Sequence, residues 1–168
     1  VSEEAFSASG SIIYRSKRSP EVGYILTARH FCDHQKEKVE GEDFGHRFIV
    51  SDYYGNIHIA VLYFTSMKVD ACILVISDMT DELEVTNFST EEARHGERVY
   101  NLSAPHALFD KELVLTFQGL YSGTRENMAV YTIPSGPGSS GSPIFKQDGS
   151  LVGMIWSVPA RTIEIGPF

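Results

Sequence analysis

Cysteine is scarce: Cys32 and Cys72 are the only two in 168 residues. Two are too few for a scaffold held by several disulfides, and two thiols can be buried and free as readily as paired, so the redox compartment stays open. Long apolar runs are missing too. No unbroken run is longer than residues 71–76, far short of the roughly 20 residues that a membrane-spanning helix needs. Positive charge is in deficit, with 14 Lys and Arg against 22 Asp and Glu and a formal charge of -8. A surface of that sign repels phosphate backbones, and neither a basic stripe nor a Walker-type Gly-x4-Gly-Lys loop is present, which argues against nucleic acid as a ligand. The chain opens at Val1 with no apolar run over residues 1–9, as a processed or excised domain would. Its localisation is not written in the sequence.

An apolar share of 42% with 11% aromatics is ample for a buried core, and the length suits one domain over residues 1–168. No sustained helical period or solenoid repeat appears. Instead, short apolar segments alternate with turn signals. Residues 10–14 and 22–27 read as a hairpin around the polar turn 15–21. Further strands are expected over 48–50, 57–64, 71–76, 99–102, 113–121, 128–133, 144–145 and 151–156, with turns at Tyr54-Gly55-Asn56 and Asp148-Gly149. Residues 36–43 are strongly charged and read as a solvated loop. Ser89-Thr90-Glu91-Glu92 has the form of a capping box, so one short helix is expected there, stopped at Gly96. Many short strands with Gly/Pro turns describe a β-sandwich or barrel.

Residues 134–145 stand out, with three glycines and three prolines around a cluster of serines, spliced directly into apolar strands. Gly/Ser-rich segments are usually linkers, but prolines stiffen this one and strands bound it. Within it, Gly138-Ser139-Ser140-Gly141-Ser142-Pro143 resembles the active-serine loop of chymotrypsin-like serine proteases. A serine hydroxyl is a weak nucleophile and needs a base, itself oriented by a third group. Of six histidines (His30, His34, His46, His58, His95, His106), His30 ends Thr27-Ala28-Arg29-His30, which resembles the family's catalytic-histidine signature. The other five are expected to be structural or exposed. Val69-Asp70-Ala71-Cys72-Ile73-Leu74 resembles the family's acid element. His30, Asp70 and Ser140 lie 40 and then 70 residues apart, in the order that this family uses and other triad folds do not.

The resemblance implies an all-β fold of two packed six-stranded antiparallel barrels with at most short helices. About residues 1–85 would carry His30 and Asp70, and about 97–168 Ser140. It implies a serine endopeptidase working through an acyl-enzyme on a protein or polyprotein substrate, with His30, Asp70 and Ser140 catalytic, the Gly138 and Ser140 amides as the oxyanion hole, and no metal or organic cofactor. Residues 10–27 are similar to the first hairpin of bacterial HtrA-type proteases, and residues 138–144 also to flavivirus-type polyprotein proteases.

Departures from the pattern carry information. The aspartate that digestive enzymes hold before the active serine is here Ser139, so activation by a buried Val1 salt bridge is not expected. Their specificity aspartate, six residues before the serine, is here Pro134. With Pro134 and Ser135 on one side and Ile155, Trp156, Ser157 and Val158 on the other, the pocket is expected to take small or apolar side chains, unless Glu164 enters it. Cys32 and Cys72 each lie two residues past a proposed triad member and could approach one another. Two rivals remain. His30-Phe31-Cys32-Asp33-His34 offers four metal ligands in five residues, but the position after the first His, where a zincin needs Glu, is Phe31. A trypsin fold kept for binding, dormant until a partner orders it, is the other.

Overall fold

The computed structural model describes residues 6–37 and 47–156, without the side chains of 34–37. Ten strands form two antiparallel sheets. The first runs β1-β2-β5-β4-β3, where β1 is Ser11–Arg15, β2 Gly23–Thr27, β3 Arg47–Ser51, β4 Ile57–Thr65 and β5 Cys72–Ile76. The second runs β10-β9-β6-β7-β8, with β6 Arg98–Ser103, β7 Leu115–Arg125, β8 Met128–Tyr131, β9 Pro143–Lys146 and β10 Leu151–Met154. Every strand expected from the sequence is present. Each sheet carries five ladder strands among the described residues, and the connecting segment runs beside both. Thr86 donates its amide to Ile12 O beside β1, while Leu151 N–H bonds to Asn87 O and Ser89 N–H to Leu151 O beside β10. The joint between the sheets is therefore hydrogen-bonded backbone.

Each sheet has its own core. Period-two alternation puts Ile25 of β2 and Cys72, Leu74 and Ile76 of β5 on the inner face of the first sheet, with Phe48, Ala60, Met79 and Leu83. Val99, Tyr121, Ile144 and Ala93 form the second core. β4 inverts the usual pattern. Ile57, Ile59 and Val61 face outward, and His58 is turned in beside Ala60, only 2% exposed. That burial is tolerable because both ring nitrogens are satisfied: Nδ1 lies 2.8 Å from Asp78 and Nε2 3.1 Å from Asp52.

The helices differ from expectation. Ser89 to Glu92 opens no helix: the Ser89 hydroxyl accepts the Glu91 amide and donates to the Glu91 carbonyl, closing a local turn, while the Ser89 amide is taken by Leu151. The side chain that could have capped a helix closes a tight turn instead. The α-helix among the described residues, α1, spans Arg29–Glu37 and so includes Lys36 and Glu37, which read as loop. Its cap comes from far away in sequence. Asp70 Oδ1 accepts the His30 amide at 2.8 Å, one of the helix-start donors without an intrahelical partner, and Arg29 pairs with Asp33 one turn on.

The His58 cluster makes stability depend on pH. Burial pushes His58 towards neutrality, but its bonds to the Asp52 and Asp78 carboxylates outweigh this and hold its pKa above the ordinary 6.5. For Asp52, burial acts upward and the bonds from Asn56 and His58 prevail, holding it below 3.8. The raised His58 contributes stability that is complete below pH 6.5 and fades as pH climbs through its folded value. The lowered Asp52 contributes stability that is complete above pH 3.8 and is lost as pH falls through its folded value. His58→Ala, which strands Asp52, is expected to cost about 3 kcal/mol between these limits and less outside them. Urea midpoints of both proteins across pH 3–10 check this, and a pH-independent gap would refute the ion-pair origin.

Candidate active site

His30 sits in the first turn of α1, directly after β2, and Asp70 sits just before β5, the strand that pairs with β2 through Thr27 and Cys72. Antiparallel pairing therefore brings two residues 40 positions apart to the same end of the first sheet. Asp70 then grips His30 twice, through the backbone amide at 2.8 Å and through ring Nδ1 at 2.6 Å. A carboxylate acceptor at Nδ1 matches the tautomer that carries the ring proton there, which leaves Nε2 as the acceptor. Nε2 lies 2.9 Å from Ser140 Oγ, contributed by the second sheet.

Cys32 and Cys72, both fully buried, are joined by a disulfide whose Cα atoms are 6.7 Å apart. The question the sequence left open is thus resolved as a bridge between the helix of His30 and the strand of Asp70. Closing a loop of this length removes on the order of 4 kcal/mol of unfolded-chain entropy. Cys32 is thereby withdrawn from the candidate metal run, and Asp33 of that run is paired with Arg29.

The serine loop takes the special backbone its glycines suggest. Gly138 has φ +92 and Gly141 φ +82, both left-handed. A Cβ on Gly138 would stand 2.6 Å from Ala104 O, and one on Gly141 would collide with Ser9 O and Thr27 Oγ1. The competing hydroxyls are occupied elsewhere. Ser139 and Ser142 are fully buried; Ser139 Oγ accepts the Gly136 amide, and Ser142 Oγ accepts from the side chain of Asn101, which also binds Pro143 O. The Gly138 and Ser140 amides meet no acceptor among the described residues. Ser140 alone among the loop serines faces an imidazole.

The fold that carries these residues has a counterpart among known proteins. The trypsin-like peptidase domain model matches residues 8–154. The chain belongs to that family. The crystal structure of the serine endoprotease from Yersinia pestis is similar to this peptidase domain, with a TM-score of 0.67 and 25% identity, covering 88% of this chain and 47% of that one. The domain thus spans about half the length of that solved chain. No curated protein matches the sequence. The fold is the trypsin-like double barrel expected, and peptidases of this family act on protein substrates.

Near Ser140, Pro134 is exposed and Ser135 half-buried in the loop before Gly138. β10 ends at Met154, and Ile155 then brackets the serine loop: its carbonyl accepts the Gly141 amide, and its amide donates to Ser142 O. Trp156 is 43% exposed, so it is a surface residue and not simply core. Ser157, Val158, Glu164, Val1 and His46 lie outside the described residues. Among the described residues no helix is long and apolar enough to cross a membrane. Ser9 escaped the sequence reading: it bonds to Ser140 O, Gly138 O, Ala104 N and Thr27 Oγ1. It sits in no motif, and a serine before a glycine carries no local signal.

Gly138→Ala and Gly141→Ala are each expected to lower unfolding free energy by roughly 2 kcal/mol, because a side chain must adopt left-handed backbone against fixed main-chain neighbours. Guanidinium unfolding measures this, and midpoints equal to wild type would show that the loop does not need these conformations.

Proposed function

We propose that this trypsin-like peptidase domain is a serine endopeptidase that works through an acyl-enzyme. The observation that carries the reading is the continuous chain Asp70 Oδ2, His30 Nδ1, His30 Nε2, Ser140 Oγ, at 2.6 and 2.9 Å, beside two unengaged amides. Ser140 Oγ attacks the scissile carbonyl as its proton passes to His30 Nε2. The carbonyl oxygen, now anionic, is received by the Gly138 and Ser140 N–H groups. His30 then returns the proton to the leaving amine, and water repeats the sequence on the ester to release the acid. Asp70 stabilises the imidazolium and holds the ring in the tautomer that leaves Nε2 basic. In this reading residues of about 1–85 supply base and acid, residues of about 97–168 supply nucleophile and oxyanion donors, and the two work as one domain. That these groups already stand within hydrogen-bond distance favours an active enzyme over a dormant binding module.

For specificity we propose small or apolar side chains before the scissile bond. Pro134 replaces the carboxylate that would attract Lys or Arg, and Ile155 lies against the serine loop.

A fluorophosphonate probe should label wild type, and Ser140→Ala and His30→Ala should abolish labelling, with peptidase activity reduced on the order of 10⁴-fold or more. Equal labelling of folded wild type and Ser140→Ala would sink the assignment. Among matched peptides with Val, Leu or Arg before the bond, the first two should be cleaved faster; a clear Arg preference would overturn the apolar pocket.

A further inference from the structure

The oxyanion site requires two amides to point the same way without a partner of their own, so something must hold the opposite ends of their peptide planes. A trans peptide is planar, and fixing its C=O fixes its N–H in the reverse direction. From Pro137 to Gly141 all four planes are anchored through their carbonyls. Pro137 O accepts the His106 amide at 2.6 Å, and Ser139 O accepts the Ser142 amide at 3.0 Å. The remaining two both end on one residue. Gly138 O accepts the Ser9 hydroxyl at 2.9 Å, and Ser140 O accepts the Ser9 amide at 2.8 Å. The plane that presents the Ser140 N–H is thus clamped on either side by Ser9.

We propose that Ser9 is a positioning residue for the oxyanion site, and that residues 6–10 form a built-in strap that sets the serine loop. This rests on the reading of Ser140 as nucleophile. Every polar group of Ser9 is committed: besides its two donations, its hydroxyl oxygen accepts the Ala104 amide at 3.1 Å and its carbonyl accepts the Thr27 hydroxyl at 2.7 Å. Those partners are the turn whose His106 amide holds Pro137 O, and the end of β2 that leads into His30. Ser9 therefore references the oxyanion loop to the base-bearing sheet. Phe6 secures the strap at its other end, stacking at 5.9 Å on Phe31, the residue after His30. Ser139 occupies the position where the related digestive enzymes hold an aspartate for a cleaved N-terminus, and it is buried against Gly136 N–H with no charge to offer. Neutral hydrogen bonds from an internal serine do the orienting here.

Ser9→Ala removes the hydroxyl shared by Gly138 O and Ala104 N–H while keeping the backbone bond to Ser140 O. A misaimed oxyanion donor costs transition-state binding and not ground-state binding. We expect kcat to fall roughly 10- to 100-fold with KM nearly unchanged. The affinity of a peptide boronate, which forms a tetrahedral adduct on the serine, should fall by the same factor. Ser9→Thr, which keeps the hydroxyl, should recover most of both. All measurements are made well below each variant's unfolding midpoint, with circular dichroism confirming the fold. Unchanged kcat in Ser9→Ala, a kcat loss without matching loss of boronate affinity, or a Thr variant as slow as the Ala variant would each overturn the proposal. These failures leave wild-type labelling intact, whereas failure of the protease reading removes the Ser140-dependent labelling of wild type itself.

Discussion

The contact between His30 Nε2 and Ser140 Oγ joins two sheets that each have a separate core. A hydrogen bond loses its value within a few tenths of an ångström, so two independent packing units must be held in register to that tolerance. Much of the chain's unusual hydrogen bonding serves that register. Residues 86–89 bond to β1 and to β10, Ser9 bonds across to the serine loop, and Ile155 closes the loop from the far side. Apolar packing alone would leave the sheets free to slide, because burial is non-directional. Backbone bonds supply the direction.

Within the first sheet the same logic runs through Asp70. One carboxylate caps α1 and orients the ring of the residue it caps, so helix geometry and imidazole geometry cannot vary independently. The disulfide two residues beyond each partner adds a covalent limit to their separation. His58 does comparable work at another point of the sheet, with a buried imidazole satisfied by Asp52 and Asp78. Two His–carboxylate systems thus occupy one sheet, and exposure distinguishes them. His58 is sealed away, whereas the His30 side chain is 39% exposed and can meet a substrate.

The strands were legible because alternation and turn residues are local: Tyr54-Gly55-Asn56 and Asp148-Gly149 make the turns they suggest, with Gly55 and Gly149 at positive φ. The helix was not legible. α1 depends on a carboxylate 40 residues downstream, and the capping-box serine at 89 lost its helix to a turn and a bond with Leu151. In both cases a partner distant in the chain outweighed local propensity.

By itself the sequence determined the residue types and their order: a serine framed by glycines, a histidine ending a strand, an aspartate beginning one, and an excess of negative charge. Such features are chemical identities and spacings, which survive without knowledge of the fold. Tertiary structure alone decided that Cys32 and Cys72 pair, that His58 is internal while its isoleucine neighbours face solvent, and that Ser9 holds the carbonyls of Gly138 and Ser140. The first two are set by how the strands and helix of the first sheet pack, and the last by how the two sheets dock, neither of which a local pattern encodes.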